Sequence, residues 1–290
     1  MDRIISGMAR GNEIRFFAAD TRDMVEKSRE IHNTSPICTA ALGRLLTAGA
    51  MMAAMMKNED DVLTLSIDGD GPAKGLTVTA DAALNVKGII KNPLVILPPN
   101  AAGHLNVGGA IGRGTLSVIR DEGIAQPYVG RTQLVSGEIA EDITYYYAES
   151  EQIPTSVGLG VLMSRDNTVR RAGGFIIQLL PFASNETISF LEDRLAAFSS
   201  VTSFLDKGAD IADMIRELVG DDMTIEQTRE TQYKCNCSRE RVTKALISIG
   251  KKELDDMIKD GESITLNCEF CDSHYTFTID ELREIRSSMS

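Results

Sequence analysis

The chain has no tryptophan, only 5% aromatic residues, and just five cysteines in 290 residues. It also lacks an apolar segment and cleavage site behind its start: Met1 to Arg10 does not read as a secretory signal, so the expectation is a cytosolic protein. It lacks a basic stripe. The net charge of −12 would repel phosphate backbones, which argues against nucleic acid as a partner. It lacks a phosphate loop, because the glycine-rich stretch Gly108 to Gly114 is followed by no Lys-Ser/Thr pair and reads as a turn. The Asp68/Asp70 pair lacks the rest of the twelve-residue calcium-loop pattern. What remains is ordinary globular composition, 43% hydrophobic and 25% charged, with methionine plentiful at 12 and enough length for two or more units.

The scarce cysteines are not scattered. Cys235 and Cys237 form C-x-C, and Cys268 and Cys271 form C-x-x-C. In a reducing compartment clustered cysteines are metal ligands or redox sensors more often than structural disulfides. Thiolates bind zinc tetrahedrally, and two short knuckles about 30 residues apart let one small unit supply all four sulfurs. The C-x-C half is unusual for a zinc ribbon. The same sulfurs also stand as two local pairs, each able to close into a disulfide; a C-x-C ring is small and strained, which suits a reversible switch better than a staple. A plain structural zinc site satisfies the spacing too. His274 is a further candidate ligand, although four thiolates already fill the shell. Cys38 stands apart in an apolar helix and reads as a small core residue.

Along the chain, Ile14 to Ala19 reads as a strand and Thr21 to His32 as a helix. Ser35-Pro36 is a helix start, and Ile37 to Met56 continues as an Ala, Leu and Met run. That run is long enough for a membrane span, but Arg44 lies inside it and Gly43 and Gly49 interrupt it, so the reading is a buried central helix with no membrane involved. From Val62 the period changes to two, giving a hairpin over Val62 to Ala80 and further strands at Val86 to Ile90, Gly114 to Ile119 and Gln133 to Ser136. Glu138 to Gln152 reads as a helix, and Val157 to Met163 and Gly173 to Leu180 as strands. The expectation is an α+β core domain over residues 1 to 183.

Residues 184 to 230 read as a helical linker region: one helix from Ser184-Asn185 through Leu205, another from Asp210 to Gly220, then a polar tether from Asp221 to Gln232. This segment is acidic, with 11 acidic and 4 basic side chains between 185 and 230. Residues 231 to 290 form the small cysteine domain, with helices over Ser238 to Ile249 and around Leu254 to Ile258, and strands over Ile264 to Asn267 and Tyr275 to Ile279. So few large apolar side chains make it marginal, and bound zinc would supply stability on the order of 10 kcal/mol.

Several motifs then define a resemblance: D-G-D-G-P-A-K-G-L-T-V-T-A-D (68 to 81), G-R-G-T-L-S-V (112 to 118), L-V-S-G-E-I-A-E-D-I-T-Y-Y-Y (134 to 147), S-E-Q-I-P-T-S-V-G-L-G-V-L (150 to 162), A-G-G-F-I-I-Q-L-L-P (172 to 181), C-N-C-S-R-E-R (235 to 241) and C-E-F-C (268 to 271). Over its full length the chain resembles the 33 kDa redox-regulated chaperone family. The resemblance implies a cytoplasmic, ATP-independent holdase rather than an enzyme, with an α+β core, an acidic helical middle segment and a C-terminal zinc redox domain. It implies one zinc per chain on Cys235, Cys237, Cys268 and Cys271 in the inactive reduced form. It further implies that oxidation pairs Cys235 with Cys237 and Cys268 with Cys271, releases zinc, unfolds the C-terminal domain, destabilises the middle segment, and yields a form that dimerises and binds unfolding clients. Two rivals are a constitutive zinc-ribbon protein-interaction module without a switch, and a thiol oxidoreductase; the latter lacks a βαβ pattern around Cys268-Glu-Phe-Cys271 and any separate acid-base constellation.

Overall fold

The longest apolar run organises the first part of the molecule. In the computed structural model, which describes residues 1–123 and 126–289, contacts group the chain into two units, Met1–Lys234 and Cys235–Ser290. The architecture is α+β, as expected.

In the first unit, β1 (Arg3–Ala9) and β2 (Ile14–Asp20) lead into α1 (Arg22–His32) and α2 (Pro36–Ala53). Pro36 takes the first turn of α2, where its missing N–H costs nothing. Among the described residues α2 is the one helix long and apolar enough to cross a membrane, and 89% of it is buried inside the protein. Its one charge, Arg44, donates to the Glu138 carboxylate and to the Glu138 carbonyl at 3.2 Å. Cys38 is fully buried there, with Sγ 3.3 Å from the Asn92 carbonyl.

The strands β3 (Val62–Gly69), β4 (Leu76–Asp81) and β5 (Asn85–Ile90), the short helix α3 (Val107–Ile111), and β6 (Gly114–Asp121), β7 (Tyr128–Gln133), α4 (Ala140–Tyr146), β8 (Thr155–Met163) and β9 (Val169–Leu179) follow. They are joined by α5 (Asn185–Ala197), α6 (Val201–Asp206), α7 (Ile211–Val219), β10 (Thr224–Glu230) and β11 (Gln232–Tyr233). Two sheets result, ordered β10-β1-β2-β9-β8 and β11-β5-β4-β3-β6-β7. Period-two alternation sorts the first sheet's side chains. Ile4, Phe17, Ala19 and Ile176 join α2 and the second sheet's Leu65, Val78 and Val118 in the main core. Ile5, Phe16, Ala18, Phe175 and Ile177 face the other way, onto Leu191, Val201, Leu205, Ile211, Met214 and Leu218 of the three helices.

Several expectations are corrected. The strand expected at Gln133 to Ser136 ends at Gln133, because the Asp142 carboxylate takes the N–H groups of Val135 and Ser136 at 2.7 and 3.1 Å. The Glu138 to Gln152 helix starts at Ala140 and ends in a π-helical turn, Tyr147–Glu151. The glycine-rich turn contains α3, whose first turn is capped by Asn106 accepting from Gly109 N at 2.9 Å. The single helix expected through Leu205 breaks at Phe198, which is extended (φ −73°, ψ 120°) and stacks edge-on against Phe175. Ser200 then caps α6 by accepting from Ser203 N at 3.1 Å, a local bond that competes with helix continuation. The polar tether is in fact β10 and β11. β10 runs antiparallel to β1, and β11 lies parallel to β5. At Gly7 the approach of β10 is so close that a Cβ would stand 1.9 Å from the Thr224 carbonyl oxygen.

In the second unit, α8 (Arg239–Ser248), α9 (Lys251–Asp260), the hairpin β12 (Ile264–Asn267) and β13 (His274–Phe277), and α10 (Ile279–Ser288) surround a core whose fully buried members are Leu246, Leu254, Phe277 and Leu282. The strand expected over Tyr275 to Ile279 is cut short because Thr278 caps α10 in a reciprocal box with Glu281.

Candidate metal centre

The two knuckles arise from different local structures. Cys235 and Cys237 lie in the irregular segment before α8, whose start is fixed by Ser238 Oγ accepting from Arg241 N at 3.3 Å. Cys268 and Cys271 sit at the tip of the β12–β13 hairpin, where Asn267 faces His274 in register. The tip is tightened by Asp272 N donating to the Cys268 carbonyl at 2.8 Å and Cys268 N to the Ser273 carbonyl at 2.9 Å. Asp272 takes the left-handed conformation (φ +56°) that lets the chain reverse there.

These elements bring all four predicted cysteines together. Their sulfurs lie within 4.8 Å of one another, and this is the one cluster of three or more metal-ligating side chains among the described residues. Cys235 Sγ is 3.7 Å from Cys268 Sγ, and Cys237 Sγ is 3.3 Å from Cys271 Sγ. A tetrahedron with Zn–S bonds near 2.3 Å has edges of about 3.8 Å, so the set is close to the size zinc requires. All five cysteines are free thiols, and the four of the cluster are half-buried. His274 is not in the cluster: its Nδ1 is 2.6 Å from Asn267 Oδ1, and its side chain is 56% exposed.

The protons on these sulfurs are unevenly held. Burial pushes the Cys235 thiol up to about 12, helped by its sulfur neighbours, and burial likewise raises Cys268. Burial also works against ionisation of Cys237, but hydrogen bonds from the Tyr275 hydroxyl and from the neighbouring thiols outweigh it and bring the group down to about 7. The Tyr275 hydroxyl donates to Cys237 Sγ at 3.1 Å, and that bond is the main reason Tyr275 itself rises to about 12. Four sulfurs this close cannot all ionise unaided, because each negative charge opposes the next. A dication supplies the missing charge, so the donor set fits a thiolate-bound metal. Tyr275 is the residue that reading the cysteine spacing missed. Its signal was strand alternation after the second knuckle, with His274 exposed and Tyr275 turned inward.

Comparison with known proteins places the whole chain. Residues 2–278 match the family model described as Hsp33 protein. The chain is 56% identical to the 33 kDa chaperonin of Lachnoclostridium phytofermentans, over 98% of each sequence. It is 53% identical to the 33 kDa chaperonin of Agathobacter rectalis, over 98% of this chain and 99% of that one. Among solved structures, the 33 kDa chaperonin (heat shock protein 33 homolog) of Thermotoga maritima superposes with a TM-score of 0.91 at 36% identity, covering 98% of this chain and 97% of that one.

Proposed function

This chain belongs to the Hsp33 family, whose curated relatives are named chaperonins, and on that footing we propose that it is a redox-switched holdase. It keeps unfolding proteins from aggregating without ATP, in the cytoplasm, under oxidative stress. The carrying observation is the meeting of four half-exposed sulfurs within 4.8 Å at the junction of two short knuckles.

In the reduced form Cys235, Cys237, Cys268 and Cys271 hold one zinc ion as thiolates. Bound zinc would supply the positive charge that keeps all four ionised and ties the knuckles together. Peroxide changes the donors. One thiolate attacks a peroxide oxygen and becomes a sulfenic acid as hydroxide leaves; its neighbour then attacks that sulfur, forming the S–S bond and expelling a second hydroxide. Each pair gives up two electrons to peroxide, which ends as water after solvent protons are added. As the family resemblance implies, Cys235 pairs with Cys237 and Cys268 with Cys271, each pair lying within one knuckle.

A disulfide sulfur has no thiolate charge to offer a dication. Residues 235 to 290, the cysteine-bearing part of the 231 to 290 segment, then lose their main stabiliser and unfold, since four buried apolar side chains give little else. The acidic segment 184 to 230 loosens next, residues 1 to 183 stay folded, and the freed apolar faces around Leu191, Leu205, Ile215 and Leu218 hold unfolded or partly folded clients. The oxidised form is a homodimer.

The test follows aggregation of a heat-unfolding client with reduced and with peroxide-treated protein, while a chromophoric chelator reports zinc. Activation and release of one zinc per chain should rise together. Full suppression by reduced, zinc-loaded protein would point instead to a constitutive zinc-ribbon interaction module, and absence of zinc from carefully reduced protein would remove the switch.

A further inference from the structure

β10 is unlike every other strand of the first unit. Six of its seven side chains, all but Arg229, are exposed, so side-chain burial contributes almost nothing to holding it. It nevertheless occupies the whole edge of β1, paired from Arg3↔Glu230 through Met8↔Thr224 with one bulge between Ser6 and Gly7. Backbone hydrogen bonding is therefore what β1 recognises in β10. An edge that reads backbone has no stake in sequence. β1 itself is anchored from both sides, Ile4 in one apolar core and Ile5 and Ala9 in the other, so it keeps its place in the sheet when its edge is bare.

The geometry points to a second client-binding mode: once β10 leaves, β1 takes up extended segments of unfolding proteins as an added edge strand, irrespective of their sequence. This rests on the redox-holdase reading, because β10 lies in the segment that loosens. The occupant is an extended client segment, since the edge already accepts a strand whose side chains it hardly touches. An unfolded chain offers the same unsatisfied N–H and C=O groups everywhere along its length. Gly7 leaves the room this needs: an incoming strand can bring a carbonyl as close as Thr224 does, which a Cβ at this position would block.

The experiment uses the full chain after peroxide treatment, with reduced, carboxymethylated α-lactalbumin as the permanently unfolded client. Hydrogen exchange is read at single-residue resolution across residues 3 to 9. Adding client should slow the β10-facing amides of β1 tenfold or more. A synthetic peptide of residues 224 to 230 in excess should compete for the edge, and the same peptide N-methylated at its β1-facing amides should not. Unchanged β1 exchange with aggregation suppression intact would overturn the inference alone. Equal competition by the N-methylated peptide would overturn it too, as would β1 protection that appears without client and grows with protein concentration, the mark of a second copy's β10. Loss of all aggregation suppression would sink the holdase reading and this inference with it.

Discussion

The two units hold themselves together by different means. Around α2, residues such as Leu42, Leu45, Leu46 and Met51 are sealed among two sheets, each contributing about 1.5–3 kcal/mol by leaving water. Among the described residues of Cys235–Ser290 the fully buried apolar side chains number four, and the four sulfurs lie together at the junction of two knuckles. If zinc holds the second unit as proposed, the chain joins a hydrocarbon-stabilised unit to a metal-stabilised one and can lose the second without losing the first. On the proposed switch, oxidation would discriminate between them because it attacks sulfur, and the one cysteine of the larger core, Cys38, is fully buried.

The widest gap between the units should open on metal removal. Stripping zinc from reduced protein with a strong chelator should abolish amide protection across 235 to 290, a loss on the order of 10 kcal/mol, while α2 and the first-unit sheets stay protected. Persistent protection in the small unit would erase the distinction. The converse perturbation is Leu46→Ala, which leaves a cavity beside α2 and should cost about 2–5 kcal/mol in urea unfolding, with zinc stoichiometry unchanged. Parallel loss of zinc would show that the two units are not separately stabilised. Tyr275→Phe removes the hydroxyl that supports Cys237 and should weaken zinc binding about 10–100-fold in chelator competition.

Much of this contrast was legible in the sequence, and the failures are informative. α2 announced itself through Ser35-Pro36 and a long Ala, Leu and Met run, and the sulfur cluster through spacing alone. β10 did not, because T-I-E-Q-T-R-E carries no apolar alternation: its partner is the backbone of β1, and backbone pairing leaves little trace in side-chain pattern. The break at Phe198 was hidden for the opposite reason, since helical spacing continued across it while the ring turned in to meet Phe175. Tyr275 escaped because strand alternation, rather than motif, places it on Cys237.

Two smaller effects sharpen the picture of the larger unit. Asp2 is buried, accepts from the N–H groups of Asp23 (2.9 Å) and Met24 at the start of α1, and is raised to about 6 by burial, which outweighs those bonds. Its folded value therefore exceeds its unfolded one near 4, so the folded state holds the proton more tightly. The stability this contributes is complete below about pH 4 and lost as pH rises through 6. In Asp2→Asn one of the two N–H groups keeps an oxygen acceptor while the other meets the amide NH2, a cost independent of pH, and the titration is gone, so the urea midpoint of the unmodified protein should fall relative to the variant's between pH 4 and 6.5. A constant difference across that range would reject the assignment. The smallest expected effect is that of Cys38→Ser on metal: zinc content and peroxide response should not change, and loss of either would move Cys38 from core to switch.

The pairing of β1 with β10 also sets a schedule. Ile5 lies opposite Thr228, 223 residues further along the chain. A ribosome adding about 5–20 residues per second needs on the order of tens of seconds to cross that interval. For most of that time β1 is outside the tunnel while the strand that will cover its edge has not been synthesised. The open edge is thus a stage every molecule passes through at birth, and closing it is among the last events of the first unit's folding. A mature molecule that sheds β10 returns to a condition it has already occupied, with β2 and β9 in place to keep the rest of the sheet in order.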